Sequence, residues 1–509
     1  LNGQPITDAL VNLTMFRLNG GPLGGNHQLS REILQEINAP LFTPASMLKR
    51  EIGDWMRSPT GLNPMETIMS VIWPELDGSI EPIPCCGVDV MQNGSRSVRE
   101  VVPIPERVNR ICSRIQNKIK LKNKPDREKR IGLIIYSYPP GEGHLGGASY
   151  LDVFKSIKCL LKRMAEEGFA VDVPEGKLHD LFEDLAIVNS GQWLCAEETL
   201  KNSFYFSAGA YRDYFYSLPE EMQDDVTSAW GDAPGTVMTS GEKILIPGIE
   251  LGNVFLGVQP ARPPLKGQDL SGASHDKTKP PHHQYIAFYR WLETVWRADA
   301  IVHVGTHGLA EFTKGKEVGM SASCFPDLLI GDMPHLYFYH VTNASEAVIA
   351  KRRLYATIIS HNNPPFTSSD LYEDYVLLQN LIDEHGEAKV QNPESCSRIK
   401  ERILAAAQAL HFEENDIDRI HDELYEMKRS IIPKGLHVLG EGYEKEDLKR
   451  FLEFVLRYDR GDIKSINRIF AEEDGLDYDS VLMDRSSYVP QLAEVDRRCT
   501  SIVECCLER

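Results

Sequence analysis

The sequence predicts a multi-domain α/β protein whose parallel or mixed sheets are flanked by helices, with a mainly helical carboxy-terminal part. Apolar runs of strand length, such as 131–136 and 300–304, alternate with segments of helical periodicity. This alternation is typical of a parallel sheet covered by helices. The 509 residues exceed the usual length of one domain, about 150 residues. After residue 366 the helical period dominates.

Shifts in composition divide the chain into three predicted parts. Residues 1–126 form an amino-terminal α/β portion in which short apolar runs are broken by Gly and Pro. This portion ends in a basic stretch, 118–130, which is typical of a solvated helix end or linker. Residues 127–365 form the core of the protein, and residues 366–509 form the mainly helical portion, with helices expected over about 367–385, 397–411, 415–429 and 445–457.

Within the core, a strand over 131–136 is followed by a helix over 149–167. Ser149 and Asp152 can cap this helix, and Gly168 stands where it should stop. Residues 169–173 are predicted to supply the next strand. Further elements follow in the order strand 244–246, strand 254–258, helix 284–297 and strand 300–304.

Charge and composition exclude several classes of protein. The formal net charge of −19 works against binding to nucleic acid or to an anionic membrane surface, because both attract Lys and Arg. No apolar stretch approaches the roughly 20 residues that span a bilayer. The ten cysteines are few for a chain of this length and include no C-x-x-C pair, so we expect the protein to reside in the reducing cytoplasm. Since the chain begins Leu1-Asn2-Gly3, we expect a piece of a longer protein.

Two nucleotide-binding patterns are approached but not completed. Residues 141–146 satisfy G-x-G-x-x-G, which leaves an NAD-dependent oxidoreductase as one alternative. Pro139 and Pro140 separate these glycines from the strand, however, whereas the dinucleotide fingerprint needs its first glycine directly after the strand. Gly315-Lys316 is followed by Glu317 and not by the Ser or Thr of a Walker A motif. If ATP drives the reaction, another chain hydrolyses it.

The histidines are clustered. Five of the fifteen fall within one short stretch of the core, at His275, His282, His283, His303 and His307. His303, His307 and Glu311 lie where a buried strand runs into a glycine-containing turn, and imidazole and carboxylate groups can accept protons or bind metals. A single histidine at a strand end is often only a structural hydrogen-bonding group. The pattern lacks the H-E-x-x-H spacing of a helical zinc site, so we expect an open site.

The segment 303–316 (HVGTHGLAEFTKGK), with 324–327 (CFPD) and 331–334 (GDMP), resembles the large subunit of ATP-dependent tetrapyrrole metal chelatases. That family comprises the magnesium chelatase H subunit and the cobaltochelatase CobN subunit. Further similar blocks follow the family's order along most of the chain, at 61–64, 74–78, 138–147, 252–260, 280–283, 350–353 and 435–438. Family members are much longer, so the chain resembles an internal portion.

The resemblance implies insertion of a divalent metal, Co²⁺ or Mg²⁺, into a tetrapyrrole ring, in cobalamin or chlorophyll biosynthesis. It also implies two partners, an AAA+ ATPase subunit and a midas-domain subunit, which use ATP that this chain does not bind. Some segments are closer to CobN and others to the magnesium subunit, so the metal stays open. Arg262-Pro263-Pro264 replaces a glycine-containing turn of the family, which puts ligand contacts there in question. A non-catalytic tetrapyrrole carrier or regulator is the alternative function.

Insertion removes two pyrrole protons and strips water from the cation, so the site needs bases and exchangeable ligands. We expect Glu311 to lead the catalysis with help from His307 and His303, and Glu311 and His307 to bind the metal. The residues expected to hold the macrocycle are His282, His283, Lys316, Arg352, Arg353 and Gln259.

Overall fold

The computed structural model describes most of the chain. The described residues are 7–18, 25–93, 96–137, 145–182, 203–263, 275–306, 308–364, 366–368, 374–391, 395–410, 412, 416–417, 419–421, 424, 431–433, 435–483 and 485–508. The chain divides into two compact units, the first comprising Leu1–Asn362 with Val438–Gly440 and the second Asn363–His437 with Glu441–Arg509. The three-part division expected from composition stays a prediction.

The strands in chain order are β1 (Leu10–Val11), β2 (Leu41–Phe42), β3 (Ala45–Glu51), β4 (Pro84–Asn93), β5 (Arg96–Pro103), β6 (Ile131–Ile135), β7 (Phe204–Ser207), β8 (Thr239–Ser240), β9 (Lys243–Ile246), β10 (Gly248–Leu251), β11 (Val254–Val258), β12 (Ala300–Val304), β13 (His335–His340), β14 (Thr357–His361), β15 (Phe366–Ser368) and β16 (Ile431–Pro433). The α-helices are α1 (His27–Ile37), α2 (Ile52–Arg57), α3 (Pro64–Thr67), α4 (Trp73–Leu76), α5 (Pro105–Asn123), α6 (Val153–Glu166), α7 (Ala208–Phe215), α8 (Glu220–Trp230), α9 (His283–Trp291), α10 (Phe325–Ile330), α11 (Ala344–Arg353), α12 (Asp374–Gln391), α13 (Cys396–Ala409), α14 (Lys445–Leu456), α15 (Ile466–Glu473), α16 (Tyr478–Met483) and α17 (Val489–Leu507).

The central feature of the first unit is a sheet in the order β10-β11-β6-β12-β13-β14. Within it β11, β6, β12, β13 and β14 run parallel, and β10 is antiparallel to β11. Strand β6 is buried on both faces, which explains its continuous apolar run. Ile134 packs with Phe288 of α9 on one face, while Leu133 and Ile135 pack with Ile157 of α6 on the other. The predicted α/β class with parallel and mixed sheets is therefore confirmed.

Helix α6 shows how the local sequence sets an element. Asp152 is the N-cap, and its side chain accepts a hydrogen bond from the Lys155 backbone N–H at 3.0 Å, so the helix begins after Asp152 and not at Ser149. The predicted stop is confirmed: Gly168 adopts φ +93°, and the Phe169 N–H donates back to the Met164 carbonyl at 3.0 Å.

The strand predicted over 169–173 is wrong. These residues run as irregular backbone beside the turn between β10 and β11, where the Asn253 N–H donates to the Ala170 carbonyl at 2.7 Å and the Asp172 N–H to the Leu251 carbonyl at 3.3 Å. The place beside β6 is taken by β11. Side chains such as Phe169 and Val171 still pack against the core on the α6 face of the sheet, which explains their apolar pattern.

The basic stretch at the end of α5 is only partly solvated. Lys118 forms an ion pair with Glu81 at 3.2 Å, and the Glu81 side chain is 1% exposed. The Arg130 guanidinium lies over the Trp296 ring, 4.0 Å from its centroid. Both residues are therefore held in unit 1, where the sequence suggested a linker.

The second unit is mainly helical, as predicted. Helices α12 and α13 pack through Leu378, Ile399 and Ile403, and α15 and α17 share a core that includes Ala471 and Val495. The first helix begins later than expected, because residues 366–368 form β15, which pairs with β16. The helix expected over 415–429 lies mostly outside the described residues. Among the helices that the structure describes, none is long and apolar enough to cross a bilayer.

Candidate functional site

The candidate site lies where the parallel strands β6, β11, β12 and β13 reach their carboxyl ends, the edge at which open α/β sheets bind ligands. Residues 308–312 follow β12 there and are called the Glu311 turn. Glu311 belongs to a short 3-10 helix within this turn, Ala310–Phe312, and is fully buried. A carboxylate in that position is costly unless it is held by hydrogen bonds.

Tyr337 of β13 holds this carboxylate. Its hydroxyl donates to Glu311 Oε1 at 3.0 Å and accepts a hydrogen bond from the Gly308 backbone N–H at 2.6 Å. One phenol therefore joins the carboxylate to the backbone of its own turn. Gly308 is needed for this approach, because a Cβ there would lie 2.5 Å from a ring carbon of Tyr136.

Buried phenols surround Glu311. The pKa values of Tyr136, Tyr337 and Tyr339 are raised, first by burial and then by the charge of Glu311. At neutral pH these side chains stay protonated. The Tyr337 hydroxyl donates to Glu311, whereas the hydroxyls of Tyr136 and Tyr339 have no hydrogen-bond partner among the described residues.

A second chain of hydrogen bonds holds the same turn from the other side. The Leu309 backbone N–H donates to Gln259 Oε1 at 2.8 Å, and Gln259 Nε2 donates to the Tyr289 hydroxyl at 2.6 Å. The Tyr289 hydroxyl lies 3.0 Å from His303 Nε2. His303 Nδ1 lies 2.7 Å from His335 Nε2.

The last hydrogen bond in this series determines which atoms donate and which accept in the others. His335 Nδ1 lies 2.9 Å from the Leu354 carbonyl, which can only accept, so His335 Nδ1 carries a proton. Burial lowers the pKa of His335 to about 3 and that of His303 well below its ordinary value, so both rings are neutral. His335 Nε2 must then accept from His303 Nδ1, and His303 Nε2 must accept from Tyr289. Both nitrogens of His303 are engaged in this network.

His282 and His283 lie at the start of α9. His282 is its N-cap: Nδ1 accepts from the Tyr285 backbone N–H at 3.4 Å, and Nε2 donates to the Ala261 carbonyl at 2.8 Å. His283 Nδ1 lies 2.8 Å from the Tyr211 hydroxyl, and Nε2 donates to the Gly231 carbonyl at 2.9 Å.

Burial is the main cause of a lowered pKa in both rings, to about 3 for His282. These two histidines are therefore neutral and bonded through both ring nitrogens.

The basic residues Lys316 and Arg353 donate to backbone carbonyls, and Arg352 pairs with a carboxylate. Lys316 Nζ donates to the carbonyls of Met56 at 2.9 Å and Ser58 at 2.7 Å. Arg352 pairs with Glu75 at 2.8 Å.

Arg353 is fully buried and donates to the Thr313 carbonyl at 2.5 Å and to the Lys316 carbonyl at 2.6 Å. Burial lowers the pKa of Lys316 and of Arg353. Arg353 thus supports the chain that leaves the Glu311 turn.

The structure therefore brings Glu311, Gln259 and His303 together around one turn. It places His282 and His283 in the start of α9, and it engages Lys316, Arg352 and Arg353 in bonds within the protein. His307 lies outside the described residues, as does 138–144, most of the glycine-rich segment. The described end of that segment reaches the same edge, where the Gly146 N–H donates to the Tyr136 carbonyl at 2.7 Å.

Sequence reasoning missed His335, Tyr337 and Tyr339 of β13 and Tyr289 of α9. His335, Tyr337 and Tyr339 alternate along β13, and the alternation of a strand places such residues on one face. That spacing was a usable signal. Tyr289, by contrast, gives no such sign within the helical pattern of α9.

The donor set suits proton transfer better than permanent metal binding. Within the described ranges, no group of three or more His, Cys, Asp or Glu side chains is placed to hold a metal ion. A single carboxylate among phenols can accept a proton and can act as an exchangeable ligand.

The fold and this residue define the class as an α/β protein with a buried carboxylate at the carboxyl edge of a parallel sheet. A family profile described as CobN/Magnesium Chelatase matches residues 1–509. The chain belongs to the CobN/magnesium chelatase family.

Individual proteins of this family are also similar to the chain. The chloroplastic magnesium-chelatase subunit ChlH of Oryza sativa subsp. indica is 31% identical over 97% of this chain and 36% of its own length. The aerobic cobaltochelatase subunit CobN of Pseudomonas aeruginosa is 32% identical over 84% of this chain and 36% of its own. A solved structure, the catalytic subunit of cobaltochelatase from Mycobacterium tuberculosis, matches with a TM-score of 0.73 at 28% identity, over 92% of this chain and 40% of that one.

The chain spans little more than a third of the length of these curated relatives. The match to both a magnesium and a cobalt subunit at nearly equal identity leaves the metal open.

Proposed function

We propose that this chain carries the metal-insertion site of the large subunit of a tetrapyrrole metal chelatase, with Co²⁺ or Mg²⁺ as the metal substrate. The observation that carries the proposal is Glu311, a fully buried carboxylate held by the Tyr337 hydroxyl at the carboxyl edge of the sheet. The proposed reaction class comes from family membership, and the choice of Glu311 comes from its burial and its hydrogen bond to Tyr337.

Metal insertion exchanges two pyrrole N–H protons for one divalent cation. Glu311 is the proton acceptor in our proposal. A carboxylate oxygen is also an exchangeable metal ligand, so Glu311 can contact the incoming cation and release it again. His307 is the proposed second base and metal ligand. His303 is proposed to position the turn, because both its ring nitrogens are engaged.

Tyr337 and Gln259 fix the Glu311 turn before substrate arrives. A fixed acceptor avoids reorganisation during the proton transfer, which lowers the barrier. The predicted macrocycle contacts of His282, His283, Lys316, Arg352 and Arg353 stay predictions, and each requires the residue to exchange a bond described above.

The proposed assembly includes the two partners that the family resemblance implies, an AAA+ ATPase subunit and a midas-domain subunit. ATP hydrolysis belongs to the partner, and its purpose is to drive dehydration of a cation such as Mg²⁺, which sheds water reluctantly. We place the reaction in the cytoplasm, as the cysteine usage suggested.

The test is Glu311→Gln in the full protein that contains this sequence, reconstituted with its ATPase partners, ATP, metal and a free-base tetrapyrrole. Metallation is followed by the visible spectrum and ring binding separately by fluorescence quenching. Glu250→Gln is the matched control, because Glu250 is an exposed residue of strand β10. We expect Glu311→Gln to keep ring binding and lose insertion by at least roughly 100-fold, as removal of a general base does.

Normal insertion by Glu311→Gln would remove Glu311 from the mechanism. A wild-type protein that binds the ring and never metallates it, with partners that are active on an authentic subunit, would instead indicate a carrier or regulator.

A further inference from the structure

Cys85 and Cys86 are adjacent in strand β4, yet their sulfur atoms lie together. In a regular strand, neighbouring side chains point to opposite faces. The pairing of β3 with β4 is irregular here: Ala45 pairs with Pro84 and Ser46 with Cys86, so Cys85 is an extra residue. Such a bulge re-aims side chains. It places Cys85 Sγ 3.8 Å from Cys86 Sγ, within hydrogen-bond range for sulfur.

The two thiols are not equivalent. The hydrogen bond from Cys85 lowers the pKa of the Cys86 thiol to about 6, and the same bond, with burial, raises the pKa of Cys85. Ser46 Oγ lies 3.7 Å from Cys85 Sγ. Cys86 is therefore the more acidic thiol of the pair, and Cys85 is the hydrogen-bond donor. Both residues are half-buried and have a solvent-facing part.

We propose that Cys85 and Cys86 form a two-electron oxidation site, in which Cys86 reacts with a hydroperoxide and Cys85 closes a vicinal disulfide. This site is separate from the proposed metal insertion. A low-pKa thiolate beside a second thiol is the arrangement that reversible thiol oxidation requires.

The Cys86 thiolate attacks one peroxide oxygen, the O–O bond breaks, and the departing oxygen takes a proton and leaves as water or an alcohol. Cys86 is then a sulfenic acid. The Cys85 sulfur displaces the hydroxyl group, which leaves as a second product, water. In sum, two thiols are oxidised to one disulfide while one hydroperoxide is reduced, and a dithiol reductant reverses the change.

The chain contains a matched control for this site. Cys505 and Cys506 are also adjacent and both are exposed, but they lie in α17, where successive side chains diverge by about 100°. Trypsin should release 58–96, whose cysteines are Cys85 and Cys86 alone, separately from 499–509, which carries Cys499 besides Cys505 and Cys506. Fragmentation of 499–509 distinguishes Cys499 from the adjacent pair. The two pairs can therefore be followed in one sample.

The reduced full protein is treated with hydrogen peroxide below one equivalent, quenched with iodoacetamide, digested and analysed by mass spectrometry. We expect peptide 58–96 to lose two hydrogens and to escape alkylation roughly tenfold faster than 499–509, because the hydrogen bond from Cys85 lowers the pKa of the Cys86 thiol. Dithiothreitol should restore alkylation. Equal rates for the two peptides, or full alkylation of 58–96, would overturn the proposal.

Two variants test the division of roles. In Cys85→Ser the sulfenic acid of Cys86 has no resolving thiol, so dimedone should label Cys86, whereas the wild type should take little label. In Cys86→Ser we expect Cys85 to remain alkylatable. Dimedone labelling of Cys85 in Cys86→Ser at the wild-type oxidation rate would reject the assignment of Cys86 as the reactive sulfur. The wild-type comparison decides the proposal even where a variant folds poorly.

Discussion

The Tyr337 hydroxyl donates to Glu311 Oε1 at 3.0 Å while it accepts the Gly308 backbone N–H at 2.6 Å. The carboxylate is thus fastened to the turn that presents it. Gln259 accepts the next backbone N–H, that of Leu309. Two consecutive amides are therefore held by side chains, one from within β13 and one from the residue after β11, and this sets the direction of Glu311.

Removing the Tyr337 hydroxyl should impair insertion and spare binding. In Tyr337→Phe the ring still fills its place, but Glu311 loses a donor and Gly308 loses an acceptor. A hydrogen bond to a charged group contributes about 1.5–3 kcal/mol, so we expect kcat for metallation to fall roughly 10- to 100-fold. Ring binding, measured by fluorescence quenching, should change by less than roughly threefold.

The matched control is Tyr339→Phe. Tyr339 lies two residues along the same strand, and its hydroxyl has no hydrogen-bond partner among the residues that the structure describes. We expect it to keep wild-type kcat. If both variants lose the same activity, the Tyr337 contact has no special role, and if Glu311→Gln is impaired while Tyr337→Phe is not, Glu311 acts without this support.

The sequence predicted three strands of the central sheet, β6, β11 and β12, because each is buried along its whole length and is mostly apolar. It did not predict β10, β13 and β14, whose residues are only partly buried. The error at 169–173 has a physical reason. The local pattern indicates that Phe169 and Val171 contact a core, and both are partly buried against it, but the pattern does not show which segment pairs with β6. That choice depends on the pairing with β11, more than 100 residues further along the chain.

The candidate site was predicted only in part, again because local sequence does not show which distant segments meet. The crowding of His303 and Glu311 located the turn, because both are close in sequence. Tyr337 and His335 come from the next strand and meet the turn only in the folded protein. Residue type also does not reveal whether a histidine is open to a ligand: His303 is bonded at both nitrogens to partners 14 and 32 residues away.

Acid should destabilise the protein through its buried histidines, and His282 allows one of them to be isolated. Burial, with the nearby charges of His283 and Arg262, lowers the pKa of His282 from 6.5 to about 3. The unfolded chain binds this proton below pH 6.5 and the folded chain does not. The stabilisation is therefore complete above pH 6.5 and is lost as the pH falls from 6.5 toward 3.

The test compares wild type with His282→Asn by urea unfolding at pH 7.5, 6.5 and 5.5. Asn can still cap α9, but the Ala261 carbonyl loses its donor, so we expect a loss of about 1–2 kcal/mol at pH 7.5. Below pH 6 the variant should lose stability more slowly, by up to about 1.4 kcal/mol per pH unit. Parallel pH dependences would show that His282 does not resist protonation.

A buried ion cluster joins α5 to α10, and its central residue, Asp327, should be indispensable for stability. Arg107 donates to both Asp327 oxygens at 2.8 and 3.1 Å, and the Tyr355 hydroxyl donates to Asp327 Oδ1 at 2.5 Å. The side chains of Asp327 and Arg107 are both 0% exposed. Asp327→Asn removes the fully buried counter-charge of Arg107 and leaves it, among the described residues, only Glu106, whose side chain is 53% exposed, so we expect a cost of about 3–5 kcal/mol.

The control is Asp54→Asn, which breaks the exposed pair with Arg57 at 2.8 Å and should change the free energy of unfolding by less than about 1 kcal/mol. Thermal and urea unfolding measure both. A similar small effect for Asp327→Asn would mean that the cluster relaxes and hydrates.

Gly308→Ala should disturb the Glu311 turn through one identifiable contact. The added Cβ would lie 2.5 Å from a ring carbon of Tyr136 and 2.7 Å from its hydroxyl oxygen, and the Tyr136 ring is 3% exposed and cannot withdraw into solvent. Overpacking of this kind costs about 1–3 kcal/mol. Gly176→Ala is the control, since a Cβ there meets nothing within 4 Å, and it should stay within about 0.5 kcal/mol of wild type.

If the clash with Tyr136 is the cause, shrinking that ring should relieve it. We therefore expect the double variant Gly308→Ala/Tyr136→Leu to lose less stability than the sum of the two single variants, with a coupling of about 1 kcal/mol or more in urea unfolding. Because the turn also carries Glu311, Gly308→Ala should lower metallation more than ring binding. Strict additivity would show that Gly308 is required for another reason, such as its backbone bond to Tyr337.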